Sequence, residues 1–201
     1  MIKEGKFENI IYDEENSMLI DPIINIIEDN AENIFSFFGY KPNKKLDIYI
    51  VKDKKTYDDN LKKLRNSNVP IPKWNVGTTT YDGRIYYLSF NEYPNTPHKN
   101  MTLDEYNKGM LHEFVHFVNF EYCLNNNLSI PNKVLSEGIA QYLSGQKSDK
   151  EIKFNLEKGD SYDNALYVVK YIMDNKGRDY FLHLLEHDET KDIIEDVKKH
   201  Q

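Results

Sequence analysis

The sequence contains a single cysteine, Cys123, and this scarcity excludes two classes of small protein. One thiol can form neither an internal disulfide framework nor a zinc cluster built from cysteines. Cys123 follows the apolar stretch "FVHFVNFEY", where a thiol usually packs as a small hydrophobic side chain. We therefore expect a fold that depends on an ordinary hydrophobic core.

Positive charge and long apolar runs are also scarce. The 26 Lys and Arg are outnumbered by 33 Asp and Glu, so the formal net charge is -7 and no face can neutralise phosphates. No run approaches the roughly 18 apolar residues of a membrane helix, and the N-terminal "MIKEGKFENIIYDEENS" lacks a signal-peptide core. We expect no nucleic-acid partner, no membrane contact and a cytoplasmic location.

The residues that are abundant predict a packed α+β domain. Hydrophobic residues make up 39% of the 201 positions and aromatic residues 13%. Strands are predicted at "KFENIIY" and "KLDIYIV", and a hairpin joins "WNVGTTTY" to "RIYYLSF" through a two-residue Asp82-Gly83 turn. A helix is predicted at "DPIINIIEDNAENIFSFFGY", with Asp21 as its N-cap, and another over 56–65. These elements form a small mixed sheet with helices.

The second half of the chain is predicted to be entirely helical. Thr102 and Glu105 form a capping box before a helix that should run to about Leu124. Pro131 then opens a helix through "KVLSEGIAQYLSG", and helical patterns follow at "SYDNALYVVKYIMDN" and "GRDYFLHLLEHDE". We expect a single domain over 1–201, with sub-lobes 1–100 (mixed α/β) and 101–201 (helical) as its natural subdivision.

The stretch "HEFVH" interrupts an otherwise apolar helix with three polar side chains. His112 and His116 lie four residues apart, so both can direct a ring nitrogen at one metal ion. Glu113 lies one step round the helix and is placed to take a proton from a water at that ion. The alternative is a pair of hydrogen-bonded core histidines.

A catalytic zinc ion needs a third protein ligand and one open position. Glu137, in "LSEGIAQY" on the next helix, is the best candidate. The neighbouring Gly138 and Ala140 are small enough for two helices to approach closely. The alternative for Glu137 is a carboxylate stabilised by the N-terminal end of its own helix.

Together, "HEFVH" and "SEGIAQY" resemble the gluzincin metallopeptidases, the thermolysin and aminopeptidase N group, especially its small peptidase-MA-like domains. The spacing of 21 positions from His116 to Glu137 is close to that of the family. The resemblance covers roughly residues 74 to 186. It implies a zincin-like fold, one Zn²⁺ ion as cofactor, and hydrolysis of peptide or protein substrates.

The resemblance also implies roles for residues outside the two motifs. "YDNALYVVKYI" is similar to the Y-x-x-G-x-x-x-x-x-Y-L helix of the aminopeptidase branch, which would make Tyr162 the oxyanion donor; Ala165 stands at the glycine position. An edge strand precedes the motif helix in this family and pairs with the substrate backbone, a role that falls here to Val76, Gly77, Thr78 and Thr79. The G-x-M-E-N sequence that holds a free N-terminus is not found, so an endopeptidase is expected.

Two other functions compete with peptide hydrolysis. A peptidase-like domain can bind zinc and serve as a sensor or partner-binding module, although such a protein would be expected to lose the base Glu113 first. A regulator that cleaves one repressor is a third hypothesis, and it predicts an attached DNA-binding or sensing domain.

A second histidine pattern, "HLLEH", matches the inverted H-x-x-E-H zinc motif. That motif needs a third ligand far downstream, and only 14 residues follow His187. Leu182 and Leu185 are expected to face the core, which leaves His183 and His187 solvated. His98 and His200 are expected in a loop and in the C-terminal tail.

Overall fold

A computed structural model of the chain describes residues 1–146, 154, 162–187 and 190–199. Its described part is α+β, with a five-stranded sheet in the first half and helices in the second, which confirms the predicted fold class. His200 lies outside the described residues.

The sheet is mixed, as predicted. Its order is β1-β2-β3-β5-β4, with β2, β3 and β5 parallel and with β1 and β4 antiparallel at the two ends. The strands are β1 (Ile2–Glu4), β2 (Glu8–Ile11), β3 (Leu46–Val51), β4 (Gly77–Thr79) and β5 (Arg84–Leu88). In β3 the alternating Leu46, Ile48 and Ile50 are buried, because one face of the strand packs on the core.

The hairpin between β4 and β5 is confirmed, but its turn is longer than the sequence predicted. Thr80 N–H donates to the Arg84 carbonyl at 2.8 Å, so three residues, 81–83, form the loop instead of two. Gly83 has φ +85°, the left-handed conformation that commonly ends a three-residue hairpin loop.

Three α-helices accompany the sheet: α1 (Ser17–Phe38), α2 (Lys54–Leu64) and α3 (Leu103–Asn125). Helix α1 begins one turn before the predicted N-cap Asp21, and a short 3₁₀ helix (Glu14–Asn16) precedes it. Leu19 and Ile20 are buried and continue the apolar stripe of α1 backwards, which explains the earlier start.

Helix α3 begins with the predicted capping box. Thr102 N–H donates to Glu105 Oε2 at 2.8 Å, and Glu105 N–H donates to Thr102 Oγ1 at 3.2 Å. Two N–H groups that the helix itself leaves without acceptors are thereby satisfied. The helix ends at Asn125, one residue after the predicted end at Leu124.

The second half contains α4 (Lys133–Ser144), α5 (Tyr162–Asn175), α6 (Arg178–His187) and α7 (Thr190–Lys199). Asn132 is the N-cap of α4, since its side chain accepts the Val134 N–H at 2.8 Å. The predicted opening of this helix at Pro131 was therefore two residues early, because an amide oxygen can cap a helix and a proline ring cannot.

Backbone proximity groups the chain into two compact units. Unit 1 comprises Met1–Glu32 and Asn43–Phe117, and unit 2 comprises Asn33–Pro42 and Val118–Gln201. Unit 1 contains the sheet, and its core includes Ile10, Ile85 and Tyr106. Among the described residues, none of the helices combines the length and the apolar character that a membrane span requires.

Unit 2 is built on close packing of α4 against α5. A Cβ atom placed on Gly138 would lie 2.3 Å from the Ala165 carbonyl oxygen and 2.5 Å from Val169 Cγ2. Gly138 therefore permits a close approach of α4 to α5, whereas the sequence reasoning expected it to serve the approach of α4 to the motif helix. Ala165 is itself 2% exposed.

Candidate metal centre

The two histidines of "HEFVH" lie side by side on α3. Each is 7% exposed, and their Nε2 atoms are 3.1 Å apart, with ring planes at 82°. Two nitrogens bound to one tetrahedral zinc ion, at about 2.0–2.1 Å each, are separated by about 3.4 Å. A direct N–H···N hydrogen bond spans a similar distance, so for the pair alone both interpretations from the sequence remain open.

Glu137 provides the third donor. A carboxylate oxygen of this half-buried residue and one ring nitrogen each of His112 and His116 all lie within 4.8 Å of one another. Two imidazoles and one carboxylate are a donor set that could hold a metal ion.

Glu113 lies beneath the edge strand β4. Thr79 Oγ1 is 2.6 Å from Glu113 Oε2 and 2.9 Å from the Glu113 backbone carbonyl oxygen. The hydroxyl has one proton for these two acceptors, and it orients the carboxylate when it donates that proton to the nearer Oε2. Sequence reasoning assigned Thr79 only a main-chain role and missed this contact, although strand alternation places residues 77 and 79 on one face.

Gly77 allows the carboxylate and the strand to approach each other. A Cβ atom at this position would lie 2.7 Å from Glu113 Oε1 and 2.7 Å from the ring of Tyr87. Tyr87 is 3% exposed and cannot move aside without disturbing the core. Glycine is required here by space rather than by backbone conformation.

Strand β4 is at one end of the sheet, as the resemblance implied. Leu88 N–H donates to the Val76 carbonyl and Thr80 N–H to the Arg84 carbonyl, both at 2.8 Å. By the alternation of an antiparallel pair, Gly77 and Thr79 direct their main-chain groups away from β5, towards the edge. The role of Val76 to Thr79 in binding substrate stays a prediction.

A buried tyrosine anchors β4 from its other face. Tyr57 Oη lies 2.5 Å from Asn75 Oδ1, to which it donates, and 2.9 Å from Thr78 Oγ1. Burial raises the pKa of Tyr57 well above its ordinary value, so the hydroxyl stays protonated and remains a donor. This network fixes the strand that holds Glu113.

Tyr162 is the first residue of α5 and is exposed at its surface. Its carbonyl accepts a hydrogen bond from Gln141 Nε2 at 2.8 Å, and Lys133 Nζ lies 5.9 Å from its ring centroid. Gln141 thus uses its amide nitrogen to tie α4 to α5. The role of Tyr162 as an oxyanion donor stays a prediction.

No family model, curated protein or solved structure matched the chain in our comparisons. The resemblance to gluzincins therefore depends on the sequence motifs alone.

Proposed function

We propose that the chain is a zinc-dependent metallopeptidase of the gluzincin type that cleaves internal peptide bonds. In this proposal His112, His116 and Glu137 hold one zinc ion. The close, buried imidazole pair and the carboxylate within 4.8 Å support that donor set. When bound, the ion supplies a Lewis acid that activates a water and polarises the scissile carbonyl.

The observation that carries the proposal is the position of Glu113. A zinc ion with a purely structural role has no use for a neighbouring carboxylate held under a sheet edge. Here Thr79 fixes Glu113 Oε2, and Gly77 leaves space for Oε1. Such an arrangement suits a general base placed beside an extended substrate.

The proposed steps assign one task to each residue. Glu113 would accept a proton at Oε1 from the attacking water and later transfer it to the leaving amine nitrogen. Gly77 and Thr79 pair with the substrate main chain and align the scissile bond. Tyr162 donates its hydroxyl to the carbonyl oxygen as negative charge develops there, a contribution of about 3 kcal/mol for one such donor.

The decisive experiment measures metal content and cleavage together. Purified protein should contain about one zinc ion at the α3 site and cleave members of a peptide library. Glu113→Gln should retain that zinc but lose cleavage, because an amide cannot accept the proton. Glu121→Gln, two turns along the same helix, is the matched control and should cleave normally. Zinc binding without Glu113-dependent cleavage would refute the proposed peptidase activity and favour a sensor or partner-binding module.

Thr79 provides a finer test of how the base is held. Thr79→Val keeps the side-chain shape but removes a hydrogen bond to a charged group, worth about 1.5–3 kcal/mol. We expect kcat to fall by about 10- to 100-fold with little change in KM or zinc content. Thr79→Ser restores the hydroxyl and should recover most of the activity. Equal activity of the Val and Ser variants would show that Thr79 does not position Glu113.

A further inference from the structure

The outer face of α6 carries a second group of metal-binding side chains. His183, Glu186 and His187 are all exposed, and one donor atom from each lies within 4.8 Å of the others. The exposure confirms that these histidines are solvated, as the sequence predicted, with Leu184 and Leu185 buried on the opposite side and Leu182 only half-buried. Glu186 offers a third donor from within the motif itself, so metal binding here needs no ligand further along the chain.

Hydrogen bonds already orient two of the three donors. His187 Nδ1 lies 3.0 Å from the His183 carbonyl oxygen. A carbonyl can only accept, so Nδ1 carries the proton and Nε2 keeps the lone pair that a metal requires. Tyr122 Oη donates to Glu186 Oε1 at 3.3 Å, which leaves Oε2 for coordination. Such supporting contacts are typical of metal sites.

The two rings are also close to each other. Their centroids are 4.1 Å apart with an interplanar angle of 32°, so the rings share one side of the helix. Two histidines one turn apart can bind the same ion without any movement of the backbone.

We propose that His183, Glu186 and His187 form a surface site for a divalent transition-metal ion, with Zn²⁺ or Cu²⁺ as the matching class. Imidazole nitrogens select these ions over Mg²⁺ and Ca²⁺, which prefer oxygen ligands. Because all three donors are exposed, water or a ligand from another molecule completes the coordination shell. The site is separate from the proposed catalytic centre, and the proposal does not depend on peptidase activity.

The test counts Zn²⁺ ions bound by the untagged, metal-free full chain in equilibrium dialysis. Wild-type protein should bind two ions, and His183→Gln/His187→Gln should bind one. These residues are exposed, so the double variant should fold normally. His98→Gln removes a histidine whose Nε2 lies 2.7 Å from the Trp74 carbonyl oxygen, and it should leave the count at two.

A second variant tests the supporting hydrogen bond. Tyr122→Phe should keep both ions but weaken the α6 site by up to about 10-fold, the lower end of the effects seen when such partners are removed. Cu²⁺ added to the His112→Gln/His116→Gln protein should give one imidazole-bound signal in electron paramagnetic resonance. The proposal is refuted if the wild-type and His183→Gln/His187→Gln proteins bind equal numbers of Zn²⁺ ions up to about 100 µM.

Discussion

Glu8 provides a quantitative test of how the fold responds to pH. It is the first residue of β2, it is 0% exposed, and its Oε1 has no hydrogen-bond partner among the described residues. Its Oε2 accepts the Phe7 N–H at 3.1 Å. Burial raises the pKa of Glu8 from 4.5 to about 7, with a smaller contribution from Glu28, while the Phe7 N–H and Lys45 oppose the rise.

The magnitude follows from the difference between the folded and unfolded pKa values. Between pH 4.5 and about 7 the folded state binds the proton that the unfolded state releases, so stability falls as the pH rises. The stabilising contribution of protonated Glu8 is complete below pH 4.5 and is lost above about pH 7. At 1.36 kcal/mol per pKa unit, the loss amounts to about 3 kcal/mol.

Glu8→Gln isolates this contribution, because glutamine has nearly the same shape and does not titrate. Free energies of unfolding are measured by urea denaturation at several pH values from about 4 to 8. As the pH rises from about 4 to 8, the free energy of unfolding of the variant should increase by about 3 kcal/mol relative to that of wild type. At about pH 8 the variant should be the more stable protein. Glu15→Gln, an exposed control, should keep a constant difference from wild type within about 0.5 kcal/mol. A difference between Glu8→Gln and wild type that does not vary with pH would refute the argument.

Two further substitutions and one chemical modification test the packing. Gly77→Ala places a Cβ atom against the Glu113 carboxylate, so peptide cleavage should be lost while zinc is retained; normal cleavage would contradict the geometry. Gly138→Ala forces α4 away from the Ala165 carbonyl and should lower the free energy of unfolding by about 3 kcal/mol; an unchanged urea midpoint would contradict the close approach. Burial raises the pKa of Cys123 to about 11, so a thiol reagent at pH 8 should modify it only after denaturation.

Much of the secondary structure could be predicted because its determinants are local. The capping box at Thr102 depends on a side chain three residues away, and the β4–β5 hairpin on a glycine that accepts a left-handed conformation. The predicted start of α1 at Asp21 was wrong, because burial of Leu19 and Ile20 outweighed the capping preference of Asp21. Element boundaries depend on such competition with the core.

The candidate metal centre was only partly predictable. His112 and His116 are fixed on one helix by their spacing, so the sequence alone determines that they lie together. The side-chain contact from Thr79 to Glu113 joins residues 34 positions apart, and no local pattern specifies it. The same is true of the contact from Tyr122 to Glu186, which spans 64 positions.

The sequence by itself therefore determined most of the helices and strands, the pair of imidazoles and the carboxylate beside them, but not β1 or α7. Only the tertiary structure decided that Glu137 lies within reach of both rings and that Thr79 and Gly77 lie over Glu113. The physical reason is the distance along the chain between the residues that meet. Backbone periodicity orders side chains within a few residues, whereas the meeting of distant segments is set by the packing of the whole core.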